Sequence, residues 1–452
     1  MIKKIHVKRC IVLVCMIVLM VSVVSVGFLQ LGKKADAAIE TLSVNDYCEF
    51  AEDEEGAVGV IKDQNGDILW AADFVTDASA YNLVGELKRV LAENTIASKN
   101  KEYLTSAESY NLWKGSESLQ DSALNVNTTL DMKLQKDVYD YMRAHGVTDG
   151  SVLLVDADTG AIRCAVSLPA ADPRTPFNEL EDGALINKNF TTTIPGSVMK
   201  IVTGLLLSEI YPEILEHATY CDGTYEFAEN KKPITCITAR GSHNLMSALG
   251  VSCNCYYADA IVNLLNTNKE VVKERLEALG ISCESVKKVM EGGNLSYIGS
   301  TAAYTGENSF ESIWSLIGEG EVQMSPLDIC RIVNGIVKGG TAKTPYLLEN
   351  VTDAEGSAIE DFTGKNSKIT ERETAEQFYE IWKTAYDTYY GNDYHSDITV
   401  AKTGTAEYAN KSSSRTLAGY LEEQNLVFFV EIGDFETSRV MPVKVINYIC
   451  ER

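Results

Sequence analysis

Residues 198–210 read VMKIVTGLLLSEI, a stretch so nearly apolar all round that it offers no solvent face. A helix of that composition is stable only when neighbours cover every side, so the chain must build a domain with this helix at its centre. The 452 residues, 45% of them hydrophobic, are enough for one large domain and a smaller one. Inside the run stands a cation, Lys200, and a lysine enclosed by apolar side chains costs several kcal/mol unless it is paired or used.

Ser197 supplies a use. It follows Pro195-Gly196 and lies three residues before Lys200, a spacing that puts both functional groups on one helical face. A serine at a helix start meets unsatisfied backbone N–H groups and the positive end of the dipole, both of which favour developing negative charge. Burial depresses an ammonium's pKa, so a neutral Lys200 can take the serine proton near neutral pH. Ser197 is therefore the candidate nucleophile and Lys200 its base. The Ser-x-x-Lys pattern recurs at Ser98–Lys101 and Ser285–Lys288, but in polar stretches where a lysine is simply solvated.

Two further elements follow. Ser252-Cys253-Asn254 ends the short helical run SHNLMSALGV, where the hydroxyl can relay a proton and the amide can hold Lys200 or a substrate carbonyl. Ser-x-Asn also occurs at Ser43, Ser98 and Ser242, where a cap or turn is the expected role. Lys402-Thr403-Gly404-Thr405 holds the chain's sole Lys-Thr-Gly, on a strand alternating through Ile398 and Val400. Its glycine lets a substrate lie against the strand, Lys402 and Thr403 can bind a carboxylate, and the Thr405 N–H can serve an oxyanion hole. His243 and Glu407 stand close to these motifs, with a surface or capping role expected for each. Five histidines, none clustered, argue against a Ser-His-Asp triad.

Towards the N-terminus, Ile11 to Leu31 is apolar except at Ser22, Ser25 and Gln30, long enough to span a bilayer as a helix. Lys3, Lys4, Lys8 and Arg9 precede it, so residues 1–10 are expected in the cytoplasm and everything after residue 32 outside. Ala35-Asp36-Ala37 offers a small-residue cleavage site, but the run exceeds a usual signal-peptide core and an uncleaved anchor over 11–31 is expected. A formal net charge of −24 repels nucleic acid and anionic membrane surfaces alike. Eleven cysteines, with Cys10 and Cys15 at the apolar run, leave an odd number for the rest, so a fully bridged framework is excluded. Cys221 and Cys236 can pair across a short polar stretch or remain buried thiols, and the absence of a paired Cys-x-x-Cys spacing argues against structural zinc.

Residues 57–73, AVGVIKDQNGDILWAAD, alternate around Asn65-Gly66 and predict a hairpin. A polar region follows, with a helix expected near Val84 to Asn94, and residues 38–125 read as a small accessory or linker module. An amphipathic helix then starts in TTLDMKLQKDVYDYMRAHG, with Thr128 or Thr129 able to cap it. SVLLVDADTGAIRCAVS over 151–167 predicts a hairpin with a central first strand, helices dominate from Gly196 to about Ile336, and strands return at Ile398–Glu407 and Leu426–Asp434. A closing amphipathic segment follows near Val443–Ile449. Strands early and late with helices between them predict an α+β domain whose sheet joins both ends of the chain.

In that order the three motifs resemble the set carried by penicillin-binding proteins and serine β-lactamases. The likeness runs further: TTLDMKLQ resembles the start of the penicillin-binding protein transpeptidase domain, GSVLLVDADTGAI its first hairpin, TTTIPGSVMKIVTG its nucleophile helix and HNLMSALGVSCNCYY its second motif. IGEGEVQMSPLDICRIVNGIVKGGTAKTPYLL resembles the helix pair before the third motif, and GVIKDQNGDILWA the membrane-proximal start of the class B type.

The resemblance implies an antiparallel sheet flanked by helices with an all-α subdomain over 126–452. It implies a D,D-transpeptidase that cross-links peptidoglycan stem peptides through an acyl-enzyme on Ser197 and is trapped by β-lactams. Lys200 is then the base, Ser252 the proton relay, Asn254 the orienter, and Lys402, Thr403, Gly404 and Thr405 bind substrate. No metal or organic cofactor is expected, and a polytopic glycan polymerase is an implied partner. A β-lactamase or D,D-carboxypeptidase, or a non-enzymatic sensor or wall-assembly scaffold, are the alternatives. No Glu-x-x-Leu-Asn stretch follows Ser197 to serve as the deacylating base of a class A β-lactamase. Glu319 stands where the family usually has glutamine, Leu417 where an aromatic is common, and 38–125 is shorter than the usual class B pedestal.

Overall fold

The computed structural model describes residues 59–452 apart from 88–93, 106–107, 112–114, 119–122, 229–230, 238–239, 285–288, 293–294 and 408–412. The expected tail, the apolar run over 11–31, Ser43 and the Ser285–Lys288 match lie outside the described residues. Among the described residues no helix is long and apolar enough to cross a membrane.

The elements that position the site run in chain order as follows. The first are β1 Ile61–Lys62, β2 Ile68–Ala71, β3 Phe74–Val75, β4 Asn125–Thr128, α1 Met132–Ala144, β5 Gly150–Asp156 and β6 Ile162–Leu168. Next come α2 Met199–Ile210, β7 Thr219–Cys221, β8 Ile234–Thr235, β9 Gly241–His243, α3 Leu245–Val251, α4 Asn254–Asn263, α5 Phe310–Ile317 and α6 Pro326–Val337. The last are β10 Leu348–Thr352, β11 Ala358–Asp361, α7 Arg372–Tyr389, β12 Ile398–Glu407, β13 Ser413–Leu421, β14 Leu426–Ile432 and α8 Pro442–Cys450.

The main sheet has the order β12-β13-β14-β5-β6 and is antiparallel throughout. The predicted early hairpin pairs with the last strand of the chain, Val152 opposite Val430 and Leu154 opposite Phe428, so both ends of the domain close one sheet. Both faces of that sheet are buried, which the alternation in β5 makes visible. Leu153 and Val155 join the core that surrounds α2, whereas Val152 and Leu154 join a second core with Val138 and Met142 of α1 and Val445 and Ile446 of α8. A run that is apolar on both strand faces is what a central strand needs.

A second sheet, β11-β10-β4-β1-β2-β3, ties the N-terminal hairpin to strands that come nearly three hundred residues later in the chain. Its predicted turn is formed by Gly66 at φ 87, with the Asp63 carboxylate accepting from the N–H groups of Asn65 and Asp67.

One local expectation is corrected. The cap of α1 is Asp131, whose carboxylate accepts from Leu134 N–H at 2.9 Å; Thr128 and Thr129 instead donate their hydroxyls to the carbonyls of Lys62 and Ile162. Of the helix expected near Val84–Asn94, residues 88–93 lie outside the described residues; at its start a short turn, Tyr81–Val84, stops at Gly85 with φ 69, a conformation glycine adopts without strain. The next turn, Ile96–Lys99, begins with a capping box in which Ser98 is fully engaged with Thr95, so the Ser98–Lys101 match serves a local cap.

Candidate active site

Helix α2 is buried along nearly its whole length, from Met199 to Ser208, with Lys200 itself at 0% exposure. Ser197 sits in the 3-10 turn Gly196–Val198 that leads into α2, one turn of chain before the lysine. Gly196 makes that turn possible. It has φ 57, and a Cβ there would lie 2.6 Å from the Thr405 carbonyl oxygen and 2.7 Å from the Thr405 nitrogen. The nucleophile turn and the Lys-Thr-Gly strand therefore touch backbone to backbone.

The Lys200 amine is the hub. It lies 2.7 Å from Ser197 Oγ, 2.7 Å from Asn254 Oδ1, 3.1 Å from Ser252 Oγ and 3.2 Å from the Ser252 carbonyl oxygen. Burial pushes its pKa down to about 7, and the charge of Lys402 adds to that, against the opposing influence of Cys236, Cys253 and Glu319. Lys402 is also fully buried and is pushed down to about 7 by burial. Its amine donates to Ser252 Oγ at 3.2 Å and to its neighbour's carbonyl, Thr403 O, at 2.9 Å. Ser252 Oγ thus bridges two amines whose pKa values both lie near neutrality, an arrangement through which a proton can be passed.

Ser252 closes α3 in the left-handed region, φ 60 and ψ 41, and Asn254 opens α4 immediately after. A non-glycine residue held there costs about 1–2 kcal/mol, and the strain turns Ser252 Oγ towards both lysines. Asn254 is fixed from both ends, receiving Lys200 on Oδ1 and donating Nδ2 to the Thr235 carbonyl at 2.9 Å.

Strand β12 is the outer strand of the main sheet, so one of its edges is unpaired. Thr403 is half-buried and its N–H donates to the Tyr390 hydroxyl at 3.2 Å; two residues on, Thr405 is exposed and presents its N–H on the same edge. Gly404 packs into the nucleophile turn, where a Cβ would lie 2.5 Å from the Pro195 carbonyl oxygen. Tyr390, just past the end of α7, was not marked by any motif. Its single sequence trace is the tyrosine-rich run after Ala385.

All eight sequence-predicted site residues are thus in one place: Ser197, Lys200, Ser252 and Asn254 in direct contact, with Lys402, Thr403, Gly404 and Thr405 forming the adjoining strand. His243, for which a surface or capping role was expected, is buried, 8% exposed, in β9. The side chain of Glu407 lies outside the described residues. Ser242 leads to Asn244, which caps α3 through Ser247, the bland role expected of that match. The sequence spacing also missed a gathering of thiols, those of Cys221, Cys236 and Cys253, immediately behind the Ser252–Asn254 turn.

Known proteins resemble this chain. The chain is 25% identical over 312 residues to the peptidoglycan D,D-transpeptidase PbpA of Mycolicibacterium smegmatis, covering 63% of this chain and 61% of that protein. It is 24% identical over 267 residues to the peptidoglycan D,D-transpeptidase FtsI homolog of Mesostigma viride, covering 55% of this chain and 42% of that protein. The match thus spans less than two thirds of either relative's own length. Among solved structures, penicillin-binding protein A from Mycobacterium tuberculosis, as its penicillin G acyl-enzyme complex, superposes with a TM-score of 0.71 at 17% identity, over 87% of this chain and 99% of that one. The D,D-transpeptidase domain of a peptidoglycan glycosyltransferase from Eggerthella lenta gives a TM-score of 0.71 at 19% identity, over 87% and 97%. The family model described as penicillin binding protein transpeptidase domain matches residues 150–438, the span that holds the whole site. On that match, and with the fold shared across most of its length, the chain belongs to the penicillin-binding protein transpeptidase family.

Proposed function

We propose that this protein is a serine D,D-transpeptidase that cross-links peptidoglycan stem peptides and is acylated by β-lactams at the same serine. The observation that carries the proposal is the Lys200 amine, 2.7 Å from Ser197 Oγ and held near neutral pKa by burial. Two relatives that bear the name peptidoglycan D,D-transpeptidase add support.

Neutral Lys200 takes the Ser197 proton as Oγ attacks the carbonyl between the two terminal D-alanines of a stem peptide. The N–H groups of Ser197 and Thr405 receive the oxyanion of the tetrahedral intermediate. The proton passes through Ser252 to the leaving nitrogen, the C–N bond breaks, and D-alanine departs from a Ser197 ester. An amine from a neighbouring strand then attacks that ester, gives up its proton by the same relay and releases the serine. Lys402 and Thr403 bind the terminal carboxylate, Asn254 orients the amine of Lys200, and the free edge of β12 aligns the donor peptide. Residues 11–31 anchor the chain with the domain outside the cytoplasmic membrane, a reading supported by the basic residues before that run.

The test is turnover of a stem-peptide mimic ending in D-Ala-D-Ala, with and without an acceptor amine. Amine-dependent cross-linked product with release of one D-alanine is expected. Release of D-alanine into hydrolysed product alone would reassign the protein as a carboxypeptidase, and no release would contradict both.

A further inference from the structure

Behind the Ser252–Asn254 turn lie four cysteines from three separate parts of the chain. Cys221 ends β7, Cys236 follows β8, and Cys253 and Cys255 flank Asn254 at the start of α4. All four are buried, between 0% and 3% exposed. The sulfurs of Cys221, Cys236 and Cys253 lie within 4.8 Å of one another, and the buried Cys255 follows one residue beyond Asn254. Cys164 and Cys330 are buried too, but among the described residues neither belongs to such a group.

Tetrahedral zinc with four sulfurs at 2.3 Å places those sulfurs about 3.8 Å apart, so a small contraction brings the three gathered sulfurs to that spacing and a rotation of the Cys255 side chain supplies the fourth. A single disulfide would use two of the four sulfurs and leave the others packed against it. Cys253 Sγ accepts the Tyr256 N–H at 3.5 Å as the cap of α4, which fixes the sulfur's direction. His243 offers an independent sign. It lies two residues beyond Gly241, which pairs with Cys221, so it shares a ribbon face with that cysteine, and both its buried ring nitrogens lack a hydrogen-bond partner.

We propose that Cys221, Cys236 and Cys253 bind one zinc ion, with the neighbouring Cys255 completing the tetrahedron by rotation of its side chain and the unpartnered His243 close by on the same ribbon face. Binding releases the thiol protons to solvent and ties β7, β8 and the start of α4 to one point. Both supports of Asn254 then rest on the metal. Its own neighbours are ligands, and its partner carbonyl, Thr235 O, belongs to the residue before Cys236. The ion acts as a positioning element for the amide that holds Lys200, at a distance from the reacting atoms.

The full chain, purified with reductant and without chelator, is analysed for metal, stripped, and titrated with zinc and with cobalt. About one zinc per chain is expected, together with the near-ultraviolet thiolate-to-cobalt charge-transfer absorption of the cobalt form. Cys236→Ser should drop zinc well below one per chain, and Cys330→Ser should leave it unchanged. Regain of metal by the stripped wild type supports the site without recourse to a variant that fails to fold. Wild type that binds neither metal in reductant, or that is isolated with Cys221 bridged to Cys236, overturns the proposal.

Discussion

Lys200 Nζ and Ser197 Oγ lie 2.7 Å apart, on one face of a helix start whose remaining surface is enclosed by apolar side chains. The short distance and the burial act together. Burial alone would make the lysine a costly defect, and the contact alone would leave it a protonated amine unable to accept the serine proton.

Acylation should depend on pH in a way set by both buried amines. As the proposed base Lys200 works in its neutral form, so the limiting acylation rate by a penicillin at saturation should fall about tenfold per unit below pH 7 and level off above it. In its proposed role Lys402 binds a carboxylate in its charged form, so the second-order constant should pass through a maximum near pH 7, its two limbs belonging to the coupled pair. Lys402→Gln removes the neighbouring charge that depresses Lys200. Its ascending limb should therefore move to higher pH. A stopped-flow pH series on both chains reads this.

Lys200→Ala should slow acylation by about 10²–10⁴-fold, the range a positioned general base contributes. The Gly196 turn holds Ser197 against Thr405, so circular dichroism should change little, while the melting temperature should fall, since a fully buried side chain with four hydrogen-bond contacts is removed. Pre-steady-state labelling with a chromogenic β-lactam measures the rate.

Gly196→Ala should both destabilise the fold and abolish acylation. The new Cβ meets the Thr405 backbone at 2.6 Å with φ 57, which costs about 2 kcal/mol or more and pushes the nucleophile turn off β12. Thermal unfolding and penicillin labelling check the two effects separately.

Asp131→Ala should cost about 1 kcal/mol through loss of the α1 cap and leave acylation untouched, because α1 packs on the face of the sheet away from α2. Chemical denaturation reads the first effect and labelling the second.

The site was legible because its chemistry forces unusual sequence. A lysine in VMKIVTGLLLSEI and a lone Lys-Thr-Gly on an alternating strand are each hard to explain as packing, and the structure brings both to Ser252. The early hairpin and the late strands were legible for the same reason, since apolar runs such as SVLLV and LVFFV suit a sheet covered on both faces. The α1 cap was missed by a few residues because TTLD offers three capping side chains and only tertiary bonds to Lys62 and Ile162 decide among them. Tyr390 and the cysteine group were missed because neither has local spacing. Cys221, Cys236 and Cys253 meet only after β7, β8 and α4 are folded against one another. The pairing of β10 with β4 was likewise invisible to any pattern of short range.

The central claim is that Ser197 is the acylated nucleophile, and fluorescent penicillin labelling of the full chain tests it most directly. Wild type should take up about one label per chain, recovered by mass spectrometry on the peptide containing Ser197, and Ser197→Ala should take up none. A wild type that remains unlabelled, or a label that survives Ser197→Ala on another serine, would contradict the assignment.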